Sequence, residues 1–437
     1  MTDRSRFGAT RTIYALSSGT PPAGIGVVRI SGSAAGAALI ALAGGALPAA
    51  RRASLRRLRD AAEVPLDDAL VLWFPGPNSV TGEDLAELHL HGGRAVVAGV
   101  LSALSRIDGL RPAEPGEFTR RAFENGKIDL AEAEGLADLL AAETEAARIA
   151  ALRIAEGGLS NVVLDWQQRL LMLAARVEAL IDFSDEDDVR EEDEGRGIRE
   201  ALADVGRAID ALEATPPAER LRDGVRVVFG GPVNAGKSTL FNRLAGRDAA
   251  LVSPVAGTTR DVIEAPVQIG GVPLLLIDTA GLRSDAAEIV EAMGIDRAAQ
   301  TIAGADIILW FGDAAHVPDA GRAILVHARA DARSDAAPPG SVIVSAHDGE
   351  GVDTLRDAVL DRARSLLPPP DGLSLNQRQR GALAAAAAAI RQAINEPDWL
   401  LVAEHFRIAL AAFDRLTGRA GTEDMLDALF GRFCIGK

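Results

Sequence analysis

The segment Gly231-Pro232-Val233-Asn234-Ala235-Gly236-Lys237-Ser238 is a complete G-x-x-x-x-G-K-S phosphate loop, and it constrains the fold around it. Such a loop works only when a buried strand delivers it and a helix N-terminus receives the phosphates, so that backbone N–H groups converge on the anion. The flanking residues meet that requirement: Val225–Phe229 is mostly apolar, and Thr239–Leu244 has the pattern of a helix start. Lys237 is then placed to reach the outer phosphates, and the Ser238 hydroxyl to ligate Mg²⁺.

The apolar runs Leu274–Ile277, Ile307–Phe311, Ala323–Val326 and Val342–Val344 are uninterrupted, as in strands buried on both faces. Residues 219–368 therefore read as an α/β nucleotide domain with a doubly wound parallel sheet. Gly257-Thr258-Thr259-Arg260-Asp261 supplies a switch loop whose threonine can complete a Mg²⁺ shell. Asp278-Thr279-Ala280-Gly281 follows the next strand, with Asp278 placed to hold Mg²⁺ through water and the Gly281 N–H to sense a γ-phosphate. Order and spacing make this a GTPase switch. The guanine-reading segment is Ala328-Arg329-Ala330-Asp331 where Asn-Lys-x-Asp is usual. Asp331 keeps a carboxylate able to accept two hydrogen bonds from guanine, and Arg329 can cover the base. Ala328 lacks the amide that ties this loop down, which predicts guanine preference with weakened affinity. Ser345-Ala346 forms the last loop around the base. The expected nucleotide contacts are thus Asn234 through Thr239, Ser253, Thr258, Thr259, Asp278 through Gly281, Asp331, Ser345 and Ala346.

Two further regimes flank this domain. Residues 1–118 mix short strands with turn signals, Val27–Ile30 and Ala69–Phe74 as strands and Ala95–Ser105 as a helix, which predicts an α+β domain. Residues 119–218 and 369–437 are Ala-, Leu- and Glu-rich with helical periodicity, as in Leu130–Ala155, Leu164–Leu180, Leu383–Ile394 and Trp399–Leu416. They predict a discontinuous all-α domain into which the nucleotide domain is inserted. The acidic run Asp185–Glu194 reads as a solvated loop.

Charge narrows the partners. With 46 Lys+Arg against 62 Asp+Glu, the formal charge of −16 repels phosphate backbones, so RNA requires a local basic patch or a basic partner. No basic or aromatic-interleaved segment stands out. One cysteine, Cys434, forbids an internal disulfide and suits a reducing cytoplasm. Ile30–Ala50 is uncharged but mostly Ala and Gly, and reads as part of a soluble domain rather than a membrane span. His89 and His91 form an H-x-H pair without a third ligand cluster, so no zinc is assigned.

With these motifs in hand, the chain resembles the MnmE (TrmE) tRNA-modification GTPases over essentially its full length. The resemblance is carried by Pro22–Gly32, Trp73–Ser79 with Thr81–Asp84, Pro115–Phe123 running into Lys127–Glu134, and the terminal Phe433-Cys434-Ile435-Gly436-Lys437. It implies an N-terminal folate-binding domain that also dimerises, a helical domain and an inserted GTPase domain. It also implies a FAD-dependent partner, MnmG (GidA), with which an aminomethyl-type group is placed on carbon 5 of the wobble uridine of certain tRNAs. The one-carbon unit comes from methylene-tetrahydrofolate. By motif match, Arg29, Glu87, Lys127 and Lys437 fall at the folate contacts. Asn234, Ser253, Val255 and Thr258 match a K⁺ site that replaces an arginine finger, Thr259 matches a Mg²⁺ ligand alongside Ser238, and Glu291 matches the residue orienting water. Cys434 has two readings: a nucleophile adding to carbon 6 of the pyrimidine, or a small packing residue of the tail. A different functional class also stays open: a GTP-driven switch in ribosome assembly without modification chemistry.

Overall fold

The computed structural model describes residues 11–182, 191–247, 250–251, 263–279, 299–333, 336–369, 371–419 and 423–437. Two compact units emerge, Met1–Ala137 with Thr417–Lys437, and Asp138–Leu416. This division differs from the compositional boundaries at 118 and 369. Composition registers where helix-forming sequence begins, whereas compactness registers which elements pack together. Helix Glu423–Phe430 shows the difference: Leu426, Phe430 and Phe433 form a cluster with Leu130 and Ala133.

In the first unit, six strands run in the order β3-β4-β5-β2-β1-β6. They are β1 Thr12–Leu16, β2 Ile25–Ser31, β3 Ser54–Arg59, β4 Pro65–Phe74, β5 Leu85–His91 and β6 Leu110–Pro112. Neighbours pair antiparallel except β1 with β6. Alternation decides the faces: Ala69, Val71 and Trp73 of β4 are buried with Val28, Ile30, Leu88, Val100 and Leu104, while Leu70 is exposed. Helices Ala35–Ala43 and Arg94–Ser105 contribute to that buried side. The uncharged run Ile30–Ala50 thus holds a nine-residue helix, about 14 Å long against a hydrocarbon layer of about 30 Å. No helix among the described residues is long and apolar enough to cross a membrane.

Glu117 anchors a polar network beside this sheet. Its carboxylate accepts two hydrogen bonds from Arg111, at 2.8 and 2.5 Å, and one from Arg121 at 3.0 Å. Arg121 also donates to Glu83 at 2.8 Å. Burial alone would raise the Glu117 carboxyl, yet Arg111, the Glu114 amide and Arg121 together hold it below its ordinary value. A depressed carboxylate adds stability that is complete above its unfolded value, 4.5, and is lost as pH falls through the folded one. Protection of the helix Glu117–Glu124 amides, relative to their intrinsic exchange rates, is therefore expected to fall below about pH 4.5 more steeply in the wild type than in Glu117→Gln. Equal slopes would remove Glu117 from this role.

The second unit contains the nucleotide domain, whose sheet order is β13-β12-β11-β7-β10-β9-β8. Central β7, Val225–Gly230, pairs in parallel with β10, Val272–Asp278, and with β11, Ile307–Trp310. Next to β11 lie β12, Ala323–Ala328, and β13, Val342–Val344, also parallel. The sheet is mixed: β9, Ile263–Ile269, and β8, Ala250–Leu251, add an antiparallel edge. Val225, Val227 and Phe229 enter one core and Val228 the other, as a strand covered on both faces requires. Phe229 lies between the rings of Phe241 at 5.5 Å and Phe311 at 6.1 Å.

Helices Glu145–Ala155, Gly158–Asp182, Glu191–Glu213 and Gln377–Asn395, with all but the last residue of Trp399–Thr417, belong to the same unit. Their buried faces join Trp166 to Phe413 and Gln167 to Asp414. The chain leaves and re-enters this layer through adjacent segments. Arg380 donates to the carbonyls of Glu213 and Thr215, and the Ala218 N–H donates to Leu375 O. That junction accounts for an insertion between two helical stretches distant in sequence.

Candidate functional site

The phosphate loop leaves β7 at the point where the chain turns to opposite sides of the sheet, β10 on one side and β11 on the other. Ligands of such sheets bind there, beyond the carboxyl ends of the strands. Three positive φ angles curve the loop: Gly231 at 134°, Asn234 at 59° and Gly236 at 94°. A Cβ on Gly236 would lie 3.2 Å from Arg329 Cγ, so glycine there permits the close approach of the segment that carries Arg329. Lys237 begins helix Lys237–Arg247 and is buried, its Nζ donating to Gly231 O at 2.9 Å and Pro232 O at 2.6 Å. The ammonium is thereby fixed at the loop, while Ser238 and Thr239 remain exposed at the helix start. The residues present fit a nucleotide triphosphate with Mg²⁺: a curved loop, one pinned cation and a hydroxyl at the helix N-terminus.

Asp278 is fully buried at the end of β10, in register with Phe229 of β7. Thr279 donates its hydroxyl to Phe229 O at 2.7 Å, which ties this segment to the strand carrying the phosphate loop. Around the base position, Ser345 is fully buried and donates to Asp331 Oδ1 at 3.0 Å. The Ala330 N–H donates to Val344 O. Ala328 is buried in the core as the last residue of β12. Arg329, at φ 61°, donates from its guanidinium to Asn234 O at 3.3 Å. Arg329 thus links the loop after β12 to the phosphate loop, a tie that the motif alone did not reveal. A cavity of about 520 Å³ is lined by Asn234, Phe311, His327 and Arg329 among others.

In the other unit, the face of the sheet turned away from its main core brings the half-buried Arg29 and Glu87 together. They are cross-strand partners on β2 and β5, and Arg29 donates to Glu87 Oε1 at 2.8 and 3.1 Å. His89 Nε2 lies 3.2 Å from Glu87 Oε2, and the Arg29 guanidinium lies 5.8 Å from the Phe118 ring. Burial would raise the Glu87 carboxyl, but His89 and Arg29 hold it below its ordinary value. His91 turns instead to Asp67, at 2.7 Å.

The terminal segment docks on the same unit. Ile435 bridges Pro115, and a Cβ on Gly436, φ 94°, would lie 2.2 Å from Leu16 O. Leu16 pairs with Val28, next to Arg29. Gly116, φ 70°, meets Phe430 O just as closely. Two glycines therefore let backbone press on backbone where any side chain would clash. Cys434 is exposed, and Lys437 is half-buried with its N–H on Cys434 O. Lys127 is exposed, and its Cε would lie 3.1 Å from a Cβ on Gly82. No hydrogen bond or ion pair among the described residues joins Lys127 or Lys437 to the Arg29–Glu87 pair.

Both halves of this architecture match known families. The MnmE helical domain matches residues 130–434, and the N-terminus of GTP-binding protein TrmE matches residues 12–127. A tRNA modification GTPase MnmE of Rhizorhabdus wittichii is 58% identical over 98% of this chain and 97% of its own length. Its namesakes from Erythrobacter litoralis and Zymomonas mobilis are 55% and 48% identical over 98% of this chain and all of theirs. The chain belongs to the MnmE/TrmE family. Among solved structures, a point variant of Aquifex aeolicus Era bound to GDP·AlF₄⁻ is 24% identical over 38% of this chain and 66% of that chain, with a TM-score of 0.24.

Several expected site residues lie outside the described residues: Ser253, Val255, Thr258, Thr259, Ala280, Gly281 and Glu291. Within the described part, the phosphate loop, Asp278, Thr279, Asp331, Ser345 and Ala346 all fall in one domain, and Arg29, Glu87, Lys127, Cys434 and Lys437 fall in the other unit. Sequence spacing missed Arg329 as a tie, His89 as a neighbour of Glu87, and the Asn125 amide, which donates to Thr81 O at 2.7 Å. Arg329 and His89 sit in segments that the sequence singles out, but these contacts depend on strand register or on a turn, which spacing does not show.

Proposed function

We propose that this chain is a Mg²⁺-dependent GTPase that drives tRNA modification. The observation that carries the reading is a phosphate loop with Lys237 pinned across it, in a chain matching tRNA modification GTPases end to end. GTP is held by Asn234 to Thr239, its Mg²⁺ by Ser238 and Thr259, and its base by Asp331 with Ser345 and Ala346. K⁺ at Asn234, Ser253, Val255 and Thr258 neutralises charge that develops between the β- and γ-phosphates, and Glu291 orients the attacking water.

The substrate is the wobble uridine of certain tRNAs, altered at carbon 5 together with a FAD-dependent MnmG-type partner. A tetrahydrofolate derivative supplies the one-carbon unit from the face bearing Arg29 and Glu87. The paired charges there suit a ligand with a polar pterin and an acidic tail, and Lys127 and Lys437 supply further cations. Two copies of the chain form the working dimer in the cytoplasm.

Reconstitution tests this. The full chain, its FAD-containing partner, tRNA, methylene-tetrahydrofolate, K⁺ and GTP are expected to yield the aminomethyl-type uridine. Omission of GTP or folate is expected to abolish the product, and Glu87→Gln to raise the folate requirement about tenfold, the effect of one charged contact. Product formed without GTP would contradict the proposal and favour a chain in which GTP only regulates.

A further inference from the structure

From Arg4 to Arg59 the sequence contains no Asp or Glu, although the whole chain carries −16. Five of the arginines in that stretch, Arg51, Arg52, Arg56, Arg57 and Arg59, fall within one short segment. The structure places that segment at and just before β3, the outermost strand of the six-stranded sheet. The strip is basic on both sides of the strand. Leu58 is buried and sets the inward parity shared by Arg56, whose Nη1 would lie 3.7 Å from a Cβ on Gly45. Arg57 takes the other face, opposite Asp68.

The arginines differ in how they are held. Arg57 pairs with Asp68 at 2.8 Å, and Arg59 donates to Glu63 O at 2.9 Å. Arg51 lies over the Phe74 ring and donates to Asn78 O. Arg52 and Arg56 have no ion pair among the described residues. The acids that neutralise the strip, Asp68 and Glu63, therefore serve its later half and leave the Arg51–Arg56 end positive. An edge strand needs some charge to prevent strand-to-strand association, yet one or two such residues suffice for that. A dense arginine strip on an otherwise acidic protein is the electrostatic footprint of a phosphate backbone.

We infer that the β3 edge, through Arg52 and Arg56 with Arg51 beside them, is the surface on which this chain contacts the phosphate backbone of its RNA substrate. The inference rests on the proposed tRNA role and adds where the RNA lies. It also corrects the expectation that the chain has no basic segment: the strip is legible in sequence once charge is counted locally. The guanidinium forks bind phosphate oxygens without reading bases. Sequence choice is left to other contacts.

The test is tRNA binding by the full-length chain, measured by anisotropy across a salt series, for the wild type and the double variant Arg52→Gln/Arg56→Gln. The variant is expected to bind about tenfold or more weakly at 0.1 M salt, and its slope of log K against log salt to be shallower by about two. GTP turnover without RNA is expected to be unchanged. Unchanged affinity and slope would overturn the inference. So would a variant that self-associates with tRNA binding intact, which would leave edge protection as the role of the strip. Loss of partner-protein binding at constant tRNA affinity would equally overturn it, in favour of an acidic protein surface. Modification activity of the wild type separates the two levels: if it modifies tRNA and the salt slope does not move, only the β3 assignment fails.

Discussion

Lys237→Ala is expected to lower kcat/KM for GTP by roughly 10³-fold, the scale on which a transition-state charge contact is lost. The structure gives the reason. β7 is buried on both faces, so the loop it delivers has little freedom to shift. Lys237 is 4% exposed and spans the loop to two of its carbonyls. In its proposed role at the outer phosphates, Lys237 acts on charge that develops in the reaction, so its removal is expected to act on turnover as well as on affinity. Arg329, which also reaches the loop, donates to Asn234 O and is not expected to substitute. Lys237→Arg is expected to recover little, because a planar guanidinium does not reproduce a compact ammonium under two carbonyls. Turnover and nucleotide displacement, measured together, check the claim. Near-normal turnover in Lys237→Ala would mean that the loop is structural.

The second large effect is a change of base. Asp331→Asn is expected to shift preference from GTP to XTP by at least about 10²-fold, because a site built for specific hydrogen bonds rejects a base that leaves them unpaired. Asp331 lies in an exposed loop, and what fixes its carboxylate is the buried Ser345 hydroxyl 3.0 Å away. Ser345→Ala is therefore expected to weaken GTP binding several-fold, about 1 kcal/mol, without reversing the preference. Competition between GTP and XTP in a turnover assay separates the two variants. The departure from the usual guanine motif takes on a specific physical form here. Ala328 is packed in the core, and Arg329 donates to the phosphate loop. The loop is held by a guanidinium contact in place of an amide.

Much of this architecture could be read from sequence because burial imposes a pattern. β10, β11, β12 and β13 contain uninterrupted apolar runs, and β7 is apolar but for Arg226, since a strand covered on both faces leaves few positions for a charge. The helical segments were legible from their periodicity, but Leu130–Ala155 proved to be two helices, Leu130–Ala141 and Glu145–Ala155. Thr144 starts the second by accepting the Ala147 N–H, a local cap that a periodicity window averages away. The strands β3 and β5 were harder. Ser54–Arg59 is an edge strand rich in arginine, and Leu85–His91 carries Glu87, His89 and His91 on the face away from the main core. Neither resembles an apolar run, because only one face of each is buried. The candidate site in the first unit was legible only as motif matches. Its geometry depends on the Arg29–Glu87 register and on Gly116 and Gly436, whose importance lies in backbone approach and not in any side chain.

The central claim, that GTP hydrolysis by this chain serves tRNA modification, is tested most directly by nucleoside mass spectrometry of bulk tRNA. The comparison is between cells lacking the gene and the same cells supplied with the wild type or with Lys237→Ala. The account predicts that aminomethyl-type wobble uridines are lost without the gene, return with the wild type and stay absent with Lys237→Ala. An identical tRNA profile in all three would contradict it, and would leave a GTPase whose work lies elsewhere.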